Sequence, residues 1–501
     1  MLRTTKTENG SVRGMPAGNP RITVYRGIPF AAPPVGKLRW CAPQPAANWA
    51  GVRDCLEFAP ISMQGTPGEN PDELYAREWH VDPQIPMDED CLYLNIWTPA
   101  VTGDEKLPVF VWYFGGGFQC GYTAEMEFDG ERLARRGMVV VTVNYRVNVF
   151  GFFAHPELTA EAPDAPANFG LLDQQAGLFW VKRNIAAFGG DPDHITIGGQ
   201  SAGGASVMAQ LNNPASAACF QNAIVQSGIF YRPYEKDSFS PLTLAEAEQK
   251  GVEFFRFLGV SSLEEARRVP ARDVLKAYHA FGHNWNIAID GKFQTCSSWE
   301  AALRGALPDK PLLMGETNNE FFTSPNAESV EELKAMASRC FGGNAAEFLA
   351  LTGADDGLET AEKNGTVASI ELAIRILCRR RAEAGQKNAT YVYEFGPEIP
   401  GDGHGAFHSS DIWFFFETLG KCWRPFTGKH YDLSRQMCNY WANFIKTGDP
   451  NGRDADGAPQ EEWPAWKESD PRRMTFYDEP KTEACPASPV MSFLTDAAPK
   501  A

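Results

Sequence analysis

Short apolar runs alternate with helical patterns along this chain. Five runs rich in β-branched and aromatic residues are typical of buried strands: residues 109–114, 139–144, 195–198, 312–314 and 391–395. Between them, residues 171–184 and 244–258 carry apolar positions at helical spacing. Strands that alternate with helices predict an α/β fold, in which a mostly parallel central sheet is covered by helices on both faces.

The 501 residues contain no repeat, low-complexity segment or Pro/Ser-rich linker that would divide them. We therefore expect one domain spanning 1–501, a length that large α/β enzymes often use for a single domain. Residues from about 230 to 400 are rich in helical patterns and have few strand candidates. We interpret this region largely as inserted cap material that roofs the edge of the sheet.

The turn around Ser201 is the most informative motif. Gly199 and Gly203 flank this serine in a Gly-x-Ser-x-Gly pattern, which follows a β-branched run and precedes a helix-forming run at 205–211. A sharp turn between a strand and a helix would lift the Ser201 hydroxyl above the carboxyl edge of the sheet. We therefore predict that Ser201 is a nucleophile.

A serine nucleophile needs a base, and the base needs an acid that orients it. Of the eight histidines, His408 lies on a loop soon after the predicted strand 391–395, and His404 is its competitor. Glu320 lies deep in the loop after the predicted strand 312–314. Glu316 is the alternative acid, but its position nearer the strand end is more typical of a surface or ion-pair residue.

Two pairs of histidines could instead indicate a metal site. His279 and His283 lie four apart on a predicted helix, a spacing that more often marks a solvated face than a metal site. A metal-dependent hydrolase that uses His404 and His408 is a further alternative. The glycines at 403 and 405 disfavour a ligand-bearing helix there, and the chain has no His-Glu-x-x-His motif. We therefore expect neither a metal nor an organic cofactor.

A glycine-rich segment, Phe114-Gly115-Gly116-Gly117-Phe118, follows the predicted strand 109–114. Glycines allow backbone N–H groups to turn towards a ligand, and no Gly-Lys-Ser/Thr follows that would indicate a phosphate loop. We predict that the N–H groups of Gly116, Gly117 and Ala202 form an oxyanion hole.

The charge and composition of the chain exclude some kinds of binding partner. The formal net charge of −17 argues against nucleic acid and anionic membranes. Residues 1–20 show no apolar signal segment, and no apolar run approaches the ~18 residues that a membrane span needs. The eleven cysteines form no Cys-x-x-Cys pair. These features favour reduced thiols, a cytoplasmic location and a small-molecule substrate; the oligomeric state stays open.

A series of motifs spreads over nearly the whole chain. It comprises residues 25–31 (Tyr-Arg-Gly-Ile-Pro-Phe-Ala), 33–36, 89–97 (Glu-Asp-Cys-Leu-Tyr-Leu-Asn-Ile-Trp), 143–146, 168–175, 188–203, 440–444 and 447–452. With these motifs the sequence resembles the type-B carboxylesterase family, the cholinesterase-like branch of the α/β-hydrolases. The segments 89–97 and 188–203 fit two signatures of that family at every defined position.

The resemblance implies hydrolysis of carboxylic esters through a covalent acyl-enzyme, with small aryl or alkyl esters as the expected substrates. It places the catalytic triad on Ser201, Glu320 and His408, and the oxyanion hole on Gly116, Gly117 and Ala202. Ser227 matches a serine that helps to hold the acid, although capping a turn is an equally good explanation for a serine there. Arg39 and Glu89 match a structural ion pair. Some members of the family have lost the triad and act in adhesion, so a catalytically silent binding protein is the alternative function.

Where the sequence departs from the family pattern, it predicts local differences in structure. The disulfide partner of Cys91 in secreted members is matched by Ser62, so that bridge is absent unless Cys55 replaces it. Gln200 stands where the family usually has glutamate. Phe114 replaces a histidine or tyrosine, which predicts a missing hydrogen bond near the oxyanion loop.

The residues that line the substrate pocket are harder to assign. Phe321 follows the predicted acid where glycine is common, and we favour a place in the core for its ring. The aromatic candidates for the lining, each more often a core residue than a pocket residue, are Trp79, Phe118, Phe321, Trp285 and Trp413.

Overall fold

The computed structural model describes residues 1–70, 72–235, 241–455 and 457–499. Its centre is an eleven-stranded sheet. The strands are β1 (Met15–Pro16), β2 (Thr23–Pro29), β3 (Tyr93–Thr98), β4 (Leu107–Tyr113), β5 (Val139–Val143), β6 (Gly190–Gln200), β7 (Asn222–Gln226), β8 (Leu312–Thr317), β9 (Thr390–Phe395), β10 (Arg472–Phe476) and β11 (Pro480–Ala484). Their order across the sheet is β11-β10-β9-β8-β7-β6-β4-β5-β3-β2-β1.

Strands β10 to β5 in this order all pair in parallel, and antiparallel pairs occur only towards the two edges of the sheet. Successive side chains of β4 enter different apolar clusters: Val109 and Val111 pack in one, and Phe110 and Trp112 pack in the other. Because side chains alternate across a strand, both faces of the sheet are covered. The predicted α/β fold with a mostly parallel sheet is confirmed.

Helices fill the connections between the strands. They are α1 (Leu74–Glu78), α2 (Glu131–Ala134), α3 (Asn148–Phe152), α4 (Pro156–Glu161), α5 (Phe169–Asn184), α6 (Ala202–Asn212), α7 (Pro214–Ala217), α8 (Leu244–Leu258), α9 (Leu263–Arg268), α10 (Ala271–Phe281), α11 (Ser298–Leu303), α12 (Val330–Phe341), α13 (Ala345–Thr352), α14 (Leu358–Gly365), α15 (Ser369–Glu383), α16 (Ile412–Phe415), α17 (Gly428–Thr447) and α18 (Pro489–Ala497). None of the helices in the described ranges combines the length and apolar character needed to cross a bilayer.

The sequence patterns locate these elements well. All five predicted strands occur, and the run at 195–198 lies within the longer strand β6. Helix α8 has the predicted bounds, because Thr243 and Glu246 form a capping box at its start and Gly259 ends it in a left-handed conformation. The prediction that one helix carries both His279 and His283 is wrong, since α10 ends at Phe281 and Gly282 follows with a φ of 72°.

The region from 230 to 400 contains helices α8 to α15 and two strands of the central sheet, β8 and β9. Shorter pairings lie outside the central sheet. They join Thr4–Lys6, Ser11–Arg13 and Val52–Asp54 into one small sheet, Leu242–Thr243 to Ala288–Ile289, and Phe322–Thr323 to Val367–Ala368.

The loop between Ser62 and Cys91 is closed without a disulfide. All the cysteines, Cys55 and Cys91 included, are free thiols. The Ser62 hydroxyl instead lies near the Cys91 thiol, whose pKa is raised chiefly by burial. Ser62 therefore occupies the place of the missing disulfide partner.

Replacing Ser62 by cysteine is expected to allow a disulfide with Cys91. Closing a loop of this length should raise the free energy of unfolding by about 3–4 kcal/mol, chiefly by restricting the unfolded chain. Urea unfolding with and without a reductant measures the gain. Ser62→Ala serves as the control, and a stability equal in both redox conditions would show that the two side chains are not placed for a bond.

Candidate functional site

Ser201 occupies a strained turn at the carboxyl end of β6. Its φ of 56° and ψ of −124° are unusual for a residue with a side chain, and helix α6 begins at the next residue. The turn forces close approach of the backbone, since a Cβ on Gly203 would lie 2.0 Å from the carbonyl oxygen of Tyr113. The Gly-x-Ser-x-Gly pattern therefore forms the predicted strand-turn-helix unit.

Glu320 and His408 are brought together from two loops at the same edge of the sheet. His408 Nδ1 forms a hydrogen bond with Glu320 Oε2. The other oxygen, Oε1, accepts hydrogen bonds from Ser227 Oγ at 2.6 Å and from the backbone N–H of Thr317 at 2.6 Å. Glu320 is thus buried and held on both oxygens, and the contact made by Ser227 is the one that the resemblance implied.

The two competing residues lie elsewhere. His404 is half-exposed, with Nδ1 3.0 Å from Asp402 Oδ1. Glu316 is buried at the end of β8, which contradicts the expectation of a surface or ion-pair residue. Burial, and then the nearby charge of Glu320, raise the pKa of Glu316 well above its usual value. Neither residue takes part in the Glu320–His408 pair.

Gln200 contacts the second nitrogen of the imidazole, with its Nε2 3.3 Å from His408 Nε2. Because the Glu320 carboxylate can only accept, the hydrogen of a neutral His408 resides on Nδ1 and leaves Nε2 as an acceptor. The Gln200 amide then donates to Nε2. With the hydrogen on Nδ1, Nε2 is the imidazole nitrogen that can take a proton.

The glycine-rich segment 114–118, predicted to form part of an oxyanion hole, follows β4. Gly116 and Gly117 have φ values of 105° and 61°, a region that glycine adopts without a steric cost. The Phe114 ring stacks on Tyr145 with ring centroids 4.1 Å apart, and the Tyr145 hydroxyl donates to the Phe114 carbonyl oxygen at 2.8 Å. A neighbouring tyrosine thus gives this loop a hydrogen bond through its backbone, which the sequence did not indicate.

Ala202 is the first residue of helix α6. The first N–H groups of a helix have no partner within it, and they carry the positive end of the helix dipole. The backbone next to Ser201 is thereby suited to stabilise negative charge.

A cavity of about 720 Å³ lies over this site. Ser201, His408, Gly116 and Gly117 line it together with part of the loop that precedes β3. Phe321 also lines it and packs its ring edge-on against His408, with centroids 4.6 Å apart.

Two of the five aromatic candidates, Trp79 and Phe321, line this cavity. Phe321 is 39% exposed, so the expectation of a core position is wrong. Phe118, Trp285 and Trp413 are buried in the larger apolar cluster instead. Within the described ranges, no three His, Cys, Asp or Glu side chains are grouped as they would be to hold a metal.

Asp411 is a buried carboxyl group beneath the His408 loop that the sequence analysis did not single out. Its Oδ2 accepts hydrogen bonds from Gln226 Nε2 at 2.8 Å and from the Tyr393 hydroxyl at 2.7 Å. Burial raises the pKa of Asp411 to about 6, although these two hydrogen bonds oppose the rise. The folded protein therefore holds a proton on Asp411 at a pH where the unfolded chain has lost it.

Asp411 is expected to lower stability as the pH rises, because the carboxyl group ionises at a higher pH in the folded state than in the unfolded state. From pH 5 to pH 8 its contribution to the free energy of unfolding should fall by about 1.4 kcal/mol. Asp411→Asn should remove this fall, which urea unfolding at both pH values measures. Asp104→Asn, at an exposed position, is the control; equal pH dependence in wild type and Asp411→Asn would contradict the assignment.

Comparison with known proteins shows the family to which the chain belongs. The model of the Carboxylesterase family matches residues 2–347 and 359–493. The chain is 32% identical to para-nitrobenzyl esterase of Bacillus subtilis (strain 168), over 96% of either chain, and 32% identical to fumonisin B1 esterase of Sphingopyxis macrogoltabida, over 92% of this chain and 84% of that protein.

The chain is also similar to a solved carboxylesterase structure. The crystal structure of a Geobacillus stearothermophilus carboxylesterase superimposes with a TM-score of 0.76 at 31% identity, covering 99% of either chain. These matches span nearly all of the sequence, in keeping with the motifs spread along it. The chain therefore belongs to the carboxylesterase family of α/β-hydrolases, and it is an enzyme that hydrolyses carboxylic esters.

Proposed function

We propose that the protein hydrolyses small aryl or alkyl esters through a Ser201–Glu320–His408 triad and a covalent acyl-enzyme. The observation that carries the proposal is the pairing of Glu320 with His408 in the cavity that Ser201, a serine on a strained turn, also lines. A triad is recognised by such geometry and by the roles of its members.

In the first half of the reaction, His408 Nε2 takes the proton of the Ser201 hydroxyl as its oxygen attacks the ester carbonyl carbon. Glu320 keeps the imidazole in the required tautomer and stabilises the imidazolium that forms. The N–H groups of Gly116, Gly117 and Ala202 receive the negative charge of the tetrahedral intermediate. The imidazolium then returns the proton to the departing alcohol, which leaves an acyl group on Ser201.

In the second half, His408 takes a proton from water, and the resulting hydroxide attacks the acyl carbon. The imidazolium returns its proton to Ser201 Oγ as the second tetrahedral intermediate collapses, which releases the carboxylic acid and restores the Ser201 hydroxyl. Ser227 is a positioning residue in this scheme, since it holds the Glu320 carboxylate but touches no reacting atom. The scheme needs no metal or organic cofactor.

Hydrolysis of p-nitrophenyl esters of increasing acyl length, from acetate to octanoate, tests the proposal. We expect turnover of the short esters that continues in the presence of EDTA and is lost in Ser201→Ala. Turnover that EDTA abolishes would favour the metal-dependent alternative. A wild-type protein that binds esters but hydrolyses none would favour the silent binding protein.

Phe321 is expected to limit the size of the ester. Its half-exposed ring lines the cavity and contacts His408, so Phe321→Ala should enlarge the space beside the base. We expect kcat/KM for the longest esters to rise relative to acetate by about tenfold, the effect of one to two methylene groups in an apolar pocket. Phe322→Ala, at the next and exposed position, is the matched control, and an unchanged length profile in Phe321→Ala would contradict the prediction.

A further inference from the structure

The glycine-rich segment 114–118 leads into a tight turn. The Gly116 carbonyl oxygen accepts the backbone N–H of Gln119 at 2.9 Å, so Gly117 and Phe118 are the two central residues of this turn. Their φ values are 61° and 64°. Glycine adopts such a φ without a steric cost, but a phenylalanine with this φ is strained. The turn therefore has a conformation that Phe118 by itself disfavours.

Rotation of the peptide between Gly117 and Phe118 would relieve this strain. Turns with a positive φ at both central residues differ from turns with a positive φ only at the first in the orientation of this central peptide. After the rotation, Phe118 would have an ordinary negative φ, and the Gly117 carbonyl oxygen would point to the opposite side of the turn. Because Gly117 is one of the predicted oxyanion donors, the rotation would change the backbone at the donor itself.

The Gln119 side chain opposes this rotation. Its Nε2 donates to the Gly117 carbonyl oxygen at 2.8 Å, which fixes the orientation of the central peptide. The Phe118 carbonyl oxygen accepts the backbone N–H of Asn148 at 2.6 Å. The Phe118 ring lies in the larger apolar cluster and packs against Phe152, with centroids 4.9 Å apart. Gln119 thus holds the peptide before Phe118, while Asn148 and the apolar cluster hold Phe118 itself.

The inserted region at 230–400 anchors the same amide. Gln119 Nε2 also donates to the Trp285 carbonyl oxygen at 2.7 Å and lies 3.2 Å from Asn286 Oδ1. Its Oε1 accepts the Tyr278 hydroxyl of helix α10 at 2.8 Å and the backbone N–H of Trp285 at 3.2 Å. These partners determine the orientation of the amide, because the reverse orientation would set its NH₂ group against the Trp285 N–H. The side chain is therefore held at both of its polar atoms.

We propose that Gln119 is a positioning residue for the oxyanion hole, which holds the Gly117 carbonyl oxygen and so keeps the turn in the conformation that presents the N–H groups of Gly116 and Gly117. Gln119 is half-buried and is not among the described residues that line the cavity. It therefore acts through the backbone and not by touching the substrate. The inference rests on the proposed function, because that function assigns the negative charge of the intermediate to these N–H groups.

The test compares two inhibitors of equal chain length, an alkyl trifluoromethyl ketone and the corresponding alkyl methyl ketone. Ser201 Oγ forms a bond to the carbonyl carbon of the fluorinated ketone, and the hydroxyl proton moves to His408 Nε2. The former carbonyl oxygen then carries the negative charge, as in the tetrahedral intermediate, whereas the methyl ketone binds as a neutral carbonyl compound. The ratio of the two inhibition constants, measured against p-nitrophenyl acetate, reports how well the protein stabilises this charge, apart from how well it binds the alkyl chain.

Two variants remove the donor that faces the Gly117 carbonyl oxygen. Gln119→Glu keeps the shape of the side chain but sets an acceptor against this oxygen, and Gln119→Met offers no donor and adds no charge. In both variants we expect the preference for the fluorinated ketone, and kcat for p-nitrophenyl acetate, to fall about ten- to a hundredfold, the scale of a misplaced group in an active site. Inhibition by the methyl ketone should stay nearly unchanged.

Gln175→Glu is the matched control. Gln175 is also half-buried, and its Nε2 donates to Asn213 Oδ1 at 3.1 Å and to Ser216 Oγ at 2.8 Å, between helices α5 and α7. The same chemical change at this position should leave both kcat and the preference for the fluorinated ketone as in the wild type. A loss in Gln175→Glu equal to that in the Gln119 variants would overturn the inference.

The remaining outcomes separate this inference from the proposed function. A wild type without a preference for the fluorinated ketone would overturn both. A wild-type preference that persists in Gln119→Glu and Gln119→Met would overturn the inference alone, and so would equal losses of affinity for the two ketones, which would indicate a general distortion of the cavity. Because the ratio compares two ligands on the same folded molecules, it does not depend on the fraction of each variant that folds.

Discussion

Replacing Ser201 by alanine is expected to lower kcat for a short p-nitrophenyl ester by on the order of 10⁵–10⁶-fold. The hydroxyl is the only atom of the proposed triad that becomes bonded to the acyl group, and Cβ of alanine cannot replace it. The strained backbone that positions residue 201 should persist, because it depends on the close approach of Gly203 to Tyr113. Any remaining rate would come from the oxyanion loop and from substrate binding.

Burst kinetics and mass spectrometry of the stopped reaction provide a second readout for this variant. The wild type should carry an added acyl mass, and Ser201→Ala should carry none. Ser338→Ala, at an exposed position on helix α12, controls for the loss of a serine hydroxyl as such. Retention of more than about a tenth of the activity in Ser201→Ala would overturn the assignment, since nucleophile loss costs far more than this.

Replacing Glu320 by glutamine is expected to lower kcat by on the order of 10³–10⁴-fold. Three donors, on His408, Ser227 and Thr317, converge on the two oxygens of Glu320. Glutamine offers one oxygen and one NH₂, so a donor of the protein would face a donor of the amide. If the NH₂ faces the imidazole, the hydrogen moves to Nε2, and His408 can no longer take the proton of Ser201.

Glu316→Gln is the matched control for this change. Glu316 lies in the same segment and is also buried, and burial raises its pKa and so favours the neutral form, which glutamine resembles. Its kcat should stay within a few-fold of the wild type. A larger loss in Glu316→Gln than in Glu320→Gln would reverse the assignment of the acid.

Local sequence patterns predict much of the fold. Strand β5 consists entirely of buried valine and threonine, and helix α8 is bounded by its capping box and a left-handed glycine. Such elements satisfy their backbone hydrogen bonds and their periodicity with nearby residues, so the sequence predicts them directly. Helix α10 ends before His283 because Gly282 adopts a left-handed conformation at its C-terminus.

By itself, the sequence determined the fold class, the turn at Ser201 and the family, because each can be recognised from short motifs whose residues are close together in the chain. Tertiary structure decided which carboxylate meets His408, that Glu316 is buried, and that Phe321 lines the cavity. Burial and hydrogen-bond partners arise from segments distant in the chain, whose approach no local pattern encodes.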